Sequence, residues 1–301
     1  MTTGKPLASK PLEGAFWMVL AGAALAGVNT LEQIATVQAG LPAPTAAFLQ
    51  YLVAFVVVLP WAIRRGIASM KTRRPGLHAL RVLLSALGVQ AWVAGLAHAV
   101  PIGMAIALVM TSPFFVTVGA GLFLKEQVTP QRWLAVLIGF VGGMIILDPF
   151  AGGWRAIDLL PVGAAALWAG ASLCQKRLLT EESPSASTAW LLLLLAPINL
   201  VLALPSGLMP HSTLAFETIA AVGVLTALAQ GLLSLAYARA DAAYVQPFDN
   251  VKLPLNILAG WLVFGTVPPG RLWIGAAAIV GASLFLLLHE HRAERMQRSV
   301  A

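Results

Sequence analysis

Ten apolar runs, each about as long as a bilayer-spanning helix, constrain this chain of 301 residues more than any other feature. A helix needs ~20 mainly apolar residues to cross the hydrocarbon core of a membrane. The runs occupy 14–35, 45–63, 79–99, 102–124, 131–148, 157–178, 186–205, 214–237, 242–265 and 271–289. With 59% hydrophobic and 10% charged residues, the chain leaves no room for a sizeable soluble domain. The sequence therefore predicts an all-α membrane protein with ten transmembrane helices.

The placement of lysine and arginine predicts how these helices are oriented. If the N-terminus is cytoplasmic, sixteen of the nineteen Lys and Arg residues fall on the cytoplasmic side, among them Arg81 at the start of the third run. Only Arg155 and Arg271 fall outside, and Lys252 lies within a run. This bias is typical of multi-pass proteins of the plasma (inner) membrane with both termini inside. We ascribe the net charge of +7 to topology in a lipid bilayer and expect no nucleic-acid partner.

The two halves of the chain resemble each other. Pro113 in the first half matches Pro254 in the second, and Trp133 matches Trp273, each pair in the same local setting. Because each unit holds five runs, an odd number, the second unit must enter the membrane with the opposite orientation. Inverted repeats of this kind build many secondary transporters, with a central cavity between the repeats. The predicted organisation is a tail 1–13, a first repeat 14–148, a second repeat 157–289 and a tail 290–301.

Polar residues at helical spacing indicate which helix faces line a cavity. The eighth run carries the longest such stripe, formed by Gly223, Thr226, Gln230, Ser234, Tyr237 and Asp241. The first run offers Asn29 and Gln33, the third offers Gln90, and the sixth offers Trp168. Such residues also hold membrane helices together, so contact between helices stays open as an alternative for each of them.

The ninth run is the most polar of the ten. Its candidate residues are Gln246, Asp249, Asn250, Lys252 and Asn256. Charges at the bilayer centre are costly, and an i, i+3 contact between Asp249 and Lys252 would relieve much of that cost. The pair has three open interpretations: a structural ion pair, ligands for the ammonium and carboxylate of a substrate, or a proton-coupling site.

Proline punctuates the same run. Pro254 removes the backbone hydrogen bond to the carbonyl of Asn250, and Pro247 makes a second break near the start of the run. A freed carbonyl is tolerated in a membrane only inside protein or facing water. We therefore expect a kinked helix that faces the protein interior.

The fifth and tenth runs carry no polar stripe. Gly139 and Gly143 in the fifth run have the spacing of a close-packing motif, and Ala277 with Gly281 echoes it in the tenth. We expect these two helices to pack together at an edge of the protein.

Enzymatic functions lack the residues that they would need. His78 and His98 lie at opposite ends of the third run, so no catalytic constellation forms with them. The chain has no phosphate-binding P-loop, and Cys174 is its single cysteine. We expect no catalytic residue, no metal site and no cofactor.

Two motifs carry a family resemblance. Gly27–Asn29, "GVN", and Ser112–Leu147, "SPFFVTVGAGLFLKEQVTPQRWLAVLIGFVGGMIIL", with a weaker second copy from Pro254, resemble the drug/metabolite transporter superfamily and its EamA-type branch. The resemblance implies a basket of helices 1, 3, 4, 6, 8 and 9 around the cavity. It also implies that helices 2 and 7 are more peripheral.

The resemblance and the polar stripes together predict a secondary transporter. The leading hypothesis is alternating-access export of amino acids, aromatic ones among them, or of similar zwitterions. A multidrug, nucleobase or nucleotide-sugar carrier of the same fold is the alternative. Substrate, direction, ion coupling and oligomeric state stay open, with a monomer expected. The candidate substrate-binding residues are Asn29, Gln33, Gln90, Trp168, Gln230, Tyr237, Gln246, Asp249, Asn250, Lys252 and Asn256.

Overall fold

The fold of the chain is all-helical, as predicted. The computed structural model describes residues 10–64, 71–97, 108–109, 111–147, 156–265 and 270–300, and these ranges contain no β-strand. The α-helices are α1 Pro11–Gln33, α2 Ala43–Arg64, α3 Pro75–Ala97, α4 Ser112–Phe123, α5 Pro130–Leu147, α6 Leu160–Leu178, α7 Pro184–Ala203, α8 Thr213–Arg239, α9 Ala242–Asp249, α10 Lys252–Phe264 and α11 Arg271–Val300. Residues 1–9, most of the start of the fourth run, and Arg155 lie outside the described residues.

Local signals in the sequence set several helix ends. The Ser183 hydroxyl accepts the Ala186 N–H before α7, and the Ser212 hydroxyl accepts the Ala215 N–H before α8. Gly265 ends α10 with φ 69°, a left-handed conformation that glycine adopts without a steric penalty. Helix ends therefore follow elementary capping rules even though the helices lie in a membrane.

Within the described ranges, five helices are long and apolar enough to cross a bilayer: α1, α2, α7, α8 and α11. Helices α4 and α5 are shorter apolar helices. Large apolar side chains such as Phe16, Leu262 and Ile274 are exposed on the outside of the bundle, where a soluble protein would carry polar groups. The chain is a multi-pass membrane protein.

Contacts between helix ends define two faces of the bundle. The Lys10 N–H donates to the Arg239 carbonyl at 2.8 Å, so α1 begins beside the end of α8. We call this side, with residues 10–13, 71–78, 124–132, 176–183 and 239–242, the basic face. On the opposite face the Thr45 hydroxyl at the start of α2 donates to the Gly207 carbonyl between α7 and α8 at 2.6 Å.

The two halves are inverted with respect to these faces. Helix α1 runs from the basic face to the opposite face, whereas α6, the first helix of the second half, runs back to the basic face. This direction confirms the predicted architecture of two inverted five-span repeats.

The ninth span is broken into α9 and α10. The Asn250 carbonyl, deprived of its helical partner by Pro254, accepts the Leu253 N–H at 3.1 Å. The Pro247 carbonyl accepts the Ser283 hydroxyl of α11 at 3.1 Å. The predicted break at Pro254 is confirmed, and neighbouring groups satisfy the freed carbonyls as a membrane interior requires. The second break, predicted at Pro247, is wrong, because α9 continues through that residue.

Helices α5 and α11 pack closely together through a different glycine from the one expected. A Cβ atom on Gly142 would lie 2.8 Å from the Gly275 carbonyl oxygen and 2.9 Å from Ile279 Cγ1, so only glycine fits there. Gly139 instead faces Asn250, and a Cβ on Gly281 would meet open space. The spacing of small residues indicated the helix pair correctly but not the contact.

Cysteine labelling tests which face of the bundle lies outside the cell. In a Cys174→Ser background, we expect Met209→Cys, in the exposed turn after α7, to react with a membrane-impermeant maleimide on intact cells. Thr180→Cys, in the exposed turn after α6 on the basic face, should react only after the membrane is permeabilised. Equal labelling of both cysteines on intact cells, or the reverse pattern, would contradict the assignment of the faces.

Candidate substrate cavity

A cavity of about 490 Å³ lies between α1, α2, α3, α6, α7 and α8. This volume is in the ~300–1,000 Å³ range of small-molecule sites. Its polar and aromatic lining residues are Asn29, Glu32, Gln50, Tyr51, Arg81, Ser85, Gln90, Trp92, Trp168, Ser172, Gln175, Asn199, Thr226 and Gln230. Leucine, valine, isoleucine and alanine complete the wall. The cavity is thus a mixed polar and aromatic chamber between the two repeats.

The cavity extends from the middle of the bundle toward the opposite face. Glu32 and Leu202, close to the ends of α1 and α7 at that face, belong to the lining. Arg81 and Gln175 line the end that points toward the basic face. The cavity therefore reaches from the level of Arg81 to the level of Glu32 in the described part of the bundle.

An ion-pair layer covers the bundle at the basic face. Its pairs, which join loops and helix ends, are Lys10–Glu13 at 2.5 Å, Glu13–Arg239 at 3.3 Å, Arg74–Glu181 at 2.7 Å and Arg132–Asp241 at 3.0 Å, and a hydrogen bond joins His78 and Glu182 at 2.8 Å beside them. Arg74 lowers the pKa of the exposed Glu181 carboxyl group by hydrogen bonding. The layer ties the first repeat to the second, because Arg74 and Arg132 belong to one and their partners to the other.

Glu126 adds hydrogen bonds between backbone N–H groups and its carboxylate to this layer. Its carboxylate oxygens accept the N–H groups of Ala242 and Ala243, at 3.0 and 3.1 Å, at the N-terminus of α9. Burial raises the pKa of Glu126, and the two backbone hydrogen bonds oppose that rise. The loop after α4 is thereby fastened to the broken ninth span.

Two tryptophans form an aromatic wall in the cavity. The ring centroids of Trp92 and Trp168 are 6.3 Å apart. The Trp168 indole N–H donates to the Ser85 carbonyl at 3.3 Å. A Cβ on Gly88 would lie 2.5 Å from Trp168 Nε1, so glycine allows the indole to lie directly on α3. The wall is held in place by both packing and a hydrogen bond.

Arg81 is a buried cation in the cavity wall. The residue is 3% exposed, and its Nη1 donates to the Ser187 hydroxyl at 2.9 Å and to the Ser187 carbonyl at 3.2 Å. Arg81 lies in the second turn of α3, which begins at Pro75 near the basic face, and its side chain points into the bundle rather than to the surface.

Amide side chains in the wall are oriented by hydrogen bonds within the protein. Gln50 Nε2 donates to the Thr226 hydroxyl at 2.9 Å, and Gln175 Nε2 donates to the Ser234 hydroxyl at 3.0 Å. Since these bonds use the donor nitrogens, they leave the amide oxygens as acceptors.

Four of the expected residues line this cavity: Asn29, Gln90, Trp168 and Gln230. The other seven do not line it: Gln33, Tyr237, Gln246, Asp249, Asn250, Lys252 and Asn256. Among the described residues, α4, α9 and α10 contribute nothing to the lining, whereas α2 and α7 contribute several side chains. The expectation that helices 2 and 7 are peripheral to the cavity is therefore corrected.

The seven other residues have different surroundings. Gln33 is exposed at the end of α1, where the chain continues as a π-helical turn, Ile34–Gln38. Gln246 is buried and donates to the Tyr237 hydroxyl at 2.8 Å. Asn250 is buried against Gly139 of α5. Helical periodicity predicts which residues share a face of one helix, but not which neighbouring helix that face contacts. The break between α9 and α10 also means that residues before and after it do not share one continuous helix face.

Asp249 and Lys252 bind each other. Their carboxylate and ammonium atoms are 2.6 Å apart, with the side chains 19% and 38% exposed, and Lys252 packs on Gly22 of α1. Asn256 Nδ2 donates to the Lys252 carbonyl at 2.7 Å, and Asn29 Nδ2 donates to Asn256 Oδ1 at 2.9 Å. A chain of hydrogen bonds thus links the ion pair to the cavity wall at Asn29.

Several lining residues were outside the expected set. Glu32 lies next to the polar arc of the first run. Ser172 and Gln175 follow Trp168 at helical spacing in the sixth run, and Thr226 belongs to the polar stripe of the eighth run. These four residues could therefore have been predicted from the same helical faces. Gln50 and Asn199 are isolated polar residues in apolar runs, a pattern that gives no signal of its own.

Family comparison agrees with the fold. The profile of the EamA-like transporter family matches residues 12–148 and again 155–288. The chain belongs to the EamA-like transporter family. Its similarity over nearly its full length to named transporters makes it a membrane transporter.

Three curated relatives of this EamA-like transporter are named for two different substrates. A riboflavin transporter of Vibrio cholerae is 51% identical over 97% of this chain and 98% of its own length. A riboflavin transporter of Rhizobium johnstonii is 54% identical over 95% of each chain. An S-adenosylmethionine uptake transporter of Rickettsia bellii is 29% identical over 82% of this chain and 84% of its own.

A crystal structure supports the fold of this EamA-like transporter. That protein is 19% identical, covers 92% of this chain and 98% of its own, and superposes with a TM-score of 0.72. At this identity the likeness bears on the fold alone.

The Asp249–Lys252 pair makes a stability prediction. Lys252→Met or Asp249→Asn leaves the partner charge unpaired inside the bundle, which we expect to lower the free energy of unfolding by ~1–3 kcal/mol, between the values for exposed and buried pairs. Thermal unfolding in detergent measures this loss.

The double variant separates the two roles of the pair. Combining Asp249→Asn with Lys252→Met removes both charges and should recover most of the lost melting temperature. Single variants that melt like the wild type but carry no substrate would instead indicate that the charges bind substrate.

Proposed function

We propose that this EamA-like transporter carries riboflavin into the cell across the plasma membrane. The observation that supports this most strongly is the 51% identity, over almost the full length of both chains, to the riboflavin transporter of Vibrio cholerae. Riboflavin transporters of two further organisms are 54% and 44% identical over 95% and 92% of this chain.

The chemistry of the cavity suits a flavin. Riboflavin combines a flat tricyclic ring, which carries carbonyl groups at one edge, with a chain of hydroxyl groups. The indoles of Trp92 and Trp168 offer apolar faces for such a ring. Gln50, Gln175 and Gln230 offer amides to its polar groups.

The shape of the bundle supports uptake by alternating access. Charge counting places the basic face in the cytoplasm, and the cavity extends to the other side. A site that extends outward beneath a closed inner layer is ready to receive a substrate from outside. The inverted repeats supply the symmetry for a second, inward-facing state.

Amino-acid export, the leading hypothesis from sequence, receives no support from the names of the relatives. An amino acid also needs a cation and an anion near each other to bind its two charged groups. In the cavity, Arg81 and Glu32 lie at opposite ends, and the Asp249–Lys252 pair is closed on itself.

Substrate flux into proteoliposomes tests the proposal. We expect saturable accumulation of riboflavin that unlabelled riboflavin suppresses and that a mixture of amino acids does not. Vesicles that accumulate amino acids but no riboflavin would contradict it.

The proposal predicts that variants of Trp168 change the KM for riboflavin. Trp168→Ala removes one ring contact, and a stacking contribution of ~1.5 kcal/mol corresponds to about a tenfold higher KM for riboflavin. Trp168→Phe, which keeps an aromatic face, should retain most of the affinity. Trp273→Ala is the matched control, because Trp273 is 60% exposed on α11, away from the cavity. Equal KM values for Trp168→Ala and Trp273→Ala would argue against a ring contact at Trp168.

A further inference from the structure

The two ends of the cavity offer opposite hydrogen-bonding chemistry. The closed end holds the guanidinium of Arg81, a group that only donates hydrogen bonds, and the end near the opposite face holds the carboxyl group of Glu32. A ligand that is itself different at its two ends can be oriented by such a wall.

Arg81 lacks a carboxylate partner among the described residues. Its contacts there are to the hydroxyl and carbonyl of Ser187, both through Nη1. A buried guanidinium needs further acceptors, because leaving its charge and donors without partners is costly. Acceptor atoms of a bound ligand would meet that need.

Arg81 also shares a helix face with the aromatic wall. Ser85 lies one turn after Arg81 on α3, and Gly88 lies one turn further. The Ser85 carbonyl and the Gly88 surface hold the Trp168 indole in place. A planar donor and a planar apolar surface therefore line the same cavity from one face of α3, an arrangement that suits the edge and the face of one flat ring.

The other end of the cavity offers acceptors. Glu32 presents carboxyl oxygens near the opposite face. Asn199 Nδ2 donates to the Leu195 carbonyl at 2.9 Å, which leaves the Asn199 side-chain oxygen free to accept. Gln50, whose Nε2 is bound to Thr226, likewise keeps its oxygen. Hydroxyl groups are the natural partners of such a set.

We propose that riboflavin binds with the carbonyl-bearing edge of its ring on Arg81 and its ribityl chain toward Glu32. This assignment rests on the proposed function and adds an orientation to it. One carbonyl oxygen of that edge and the unprotonated ring nitrogen beside it are acceptors in one plane, which a guanidinium fork can meet together, whereas the N–H between the two carbonyls is a donor. The hydroxyl groups then lie at the acceptor-rich end, where the substrate entered.

Lumiflavin makes the orientation measurable, because it has the same ring with a methyl group in place of the ribityl chain. Dissociation constants for riboflavin and lumiflavin are measured on purified protein by quenching of flavin fluorescence. Arg81→Gln should weaken both ligands by the same factor, about tenfold for a lost charge-assisted hydrogen bond. Glu32→Gln should weaken riboflavin alone.

Two further variants protect this experiment against a folding defect. Arg81→Lys keeps the charge but loses the planar fork, and we expect it to weaken both flavins by one smaller, common factor. Arg177→Gln is the matched control for loss of an arginine charge, since Arg177 is exposed at the end of α6, and it should leave both constants unchanged.

The outcomes separate the orientation from the proposed function. If Arg81→Gln weakens riboflavin but not lumiflavin, Arg81 contacts the chain and the orientation is overturned while riboflavin remains the substrate. If neither Arg81 variant changes either constant, the contact with Arg81 is overturned. A wild-type protein that binds neither flavin would overturn the proposed function itself.

Discussion

A backbone polar group cannot be left without a partner in the hydrocarbon core of a membrane, and the broken ninth span shows how the structure meets this requirement. Pro254 interrupts the ladder between α9 and α10, and the freed carbonyls find partners on Leu253 and on Ser283 of α11. The same region carries the Asp249–Lys252 pair, which is tied through hydrogen bonds to α1. The break thus brings polar groups into the bundle and connects them to the wall of the cavity.

The inverted repeats place a second constraint on where charges lie. At the basic face, ion pairs between the halves cover the bundle, whereas the cavity continues to the other side. Arg81 does not belong to that layer, since it is a buried cation in the cavity wall with Ser187 as its contact. A site with a donor at its closed end and acceptors near its mouth selects for a ligand with complementary ends.

Sequence alone predicted the helices, the duplication, the inversion and the break in the ninth span, because each follows from hydrophobic length, periodicity or proline chemistry. It predicted Asn29, Gln90, Trp168 and Gln230 as neighbours of the cavity, since these lie in apolar runs at helical spacing. It did not select Arg81, because an arginine at the cytoplasmic end of an apolar run is what the positive-inside bias produces in any case. The polar residues of the ninth span do not line this cavity. Periodicity predicts the face on which they lie, but the helix that this face contacts depends on tertiary packing.

Riboflavin should bind in the cavity between α1, α2, α3, α6, α7 and α8. A structure of the protein in a lipid nanodisc with riboflavin bound would locate the substrate site. We expect flavin density against the Trp168 indole, inside the cavity that Arg81 and Glu32 line at its two ends. Density on the Asp249–Lys252 pair, with this cavity empty in a sample that binds riboflavin, would show that the substrate site lies elsewhere.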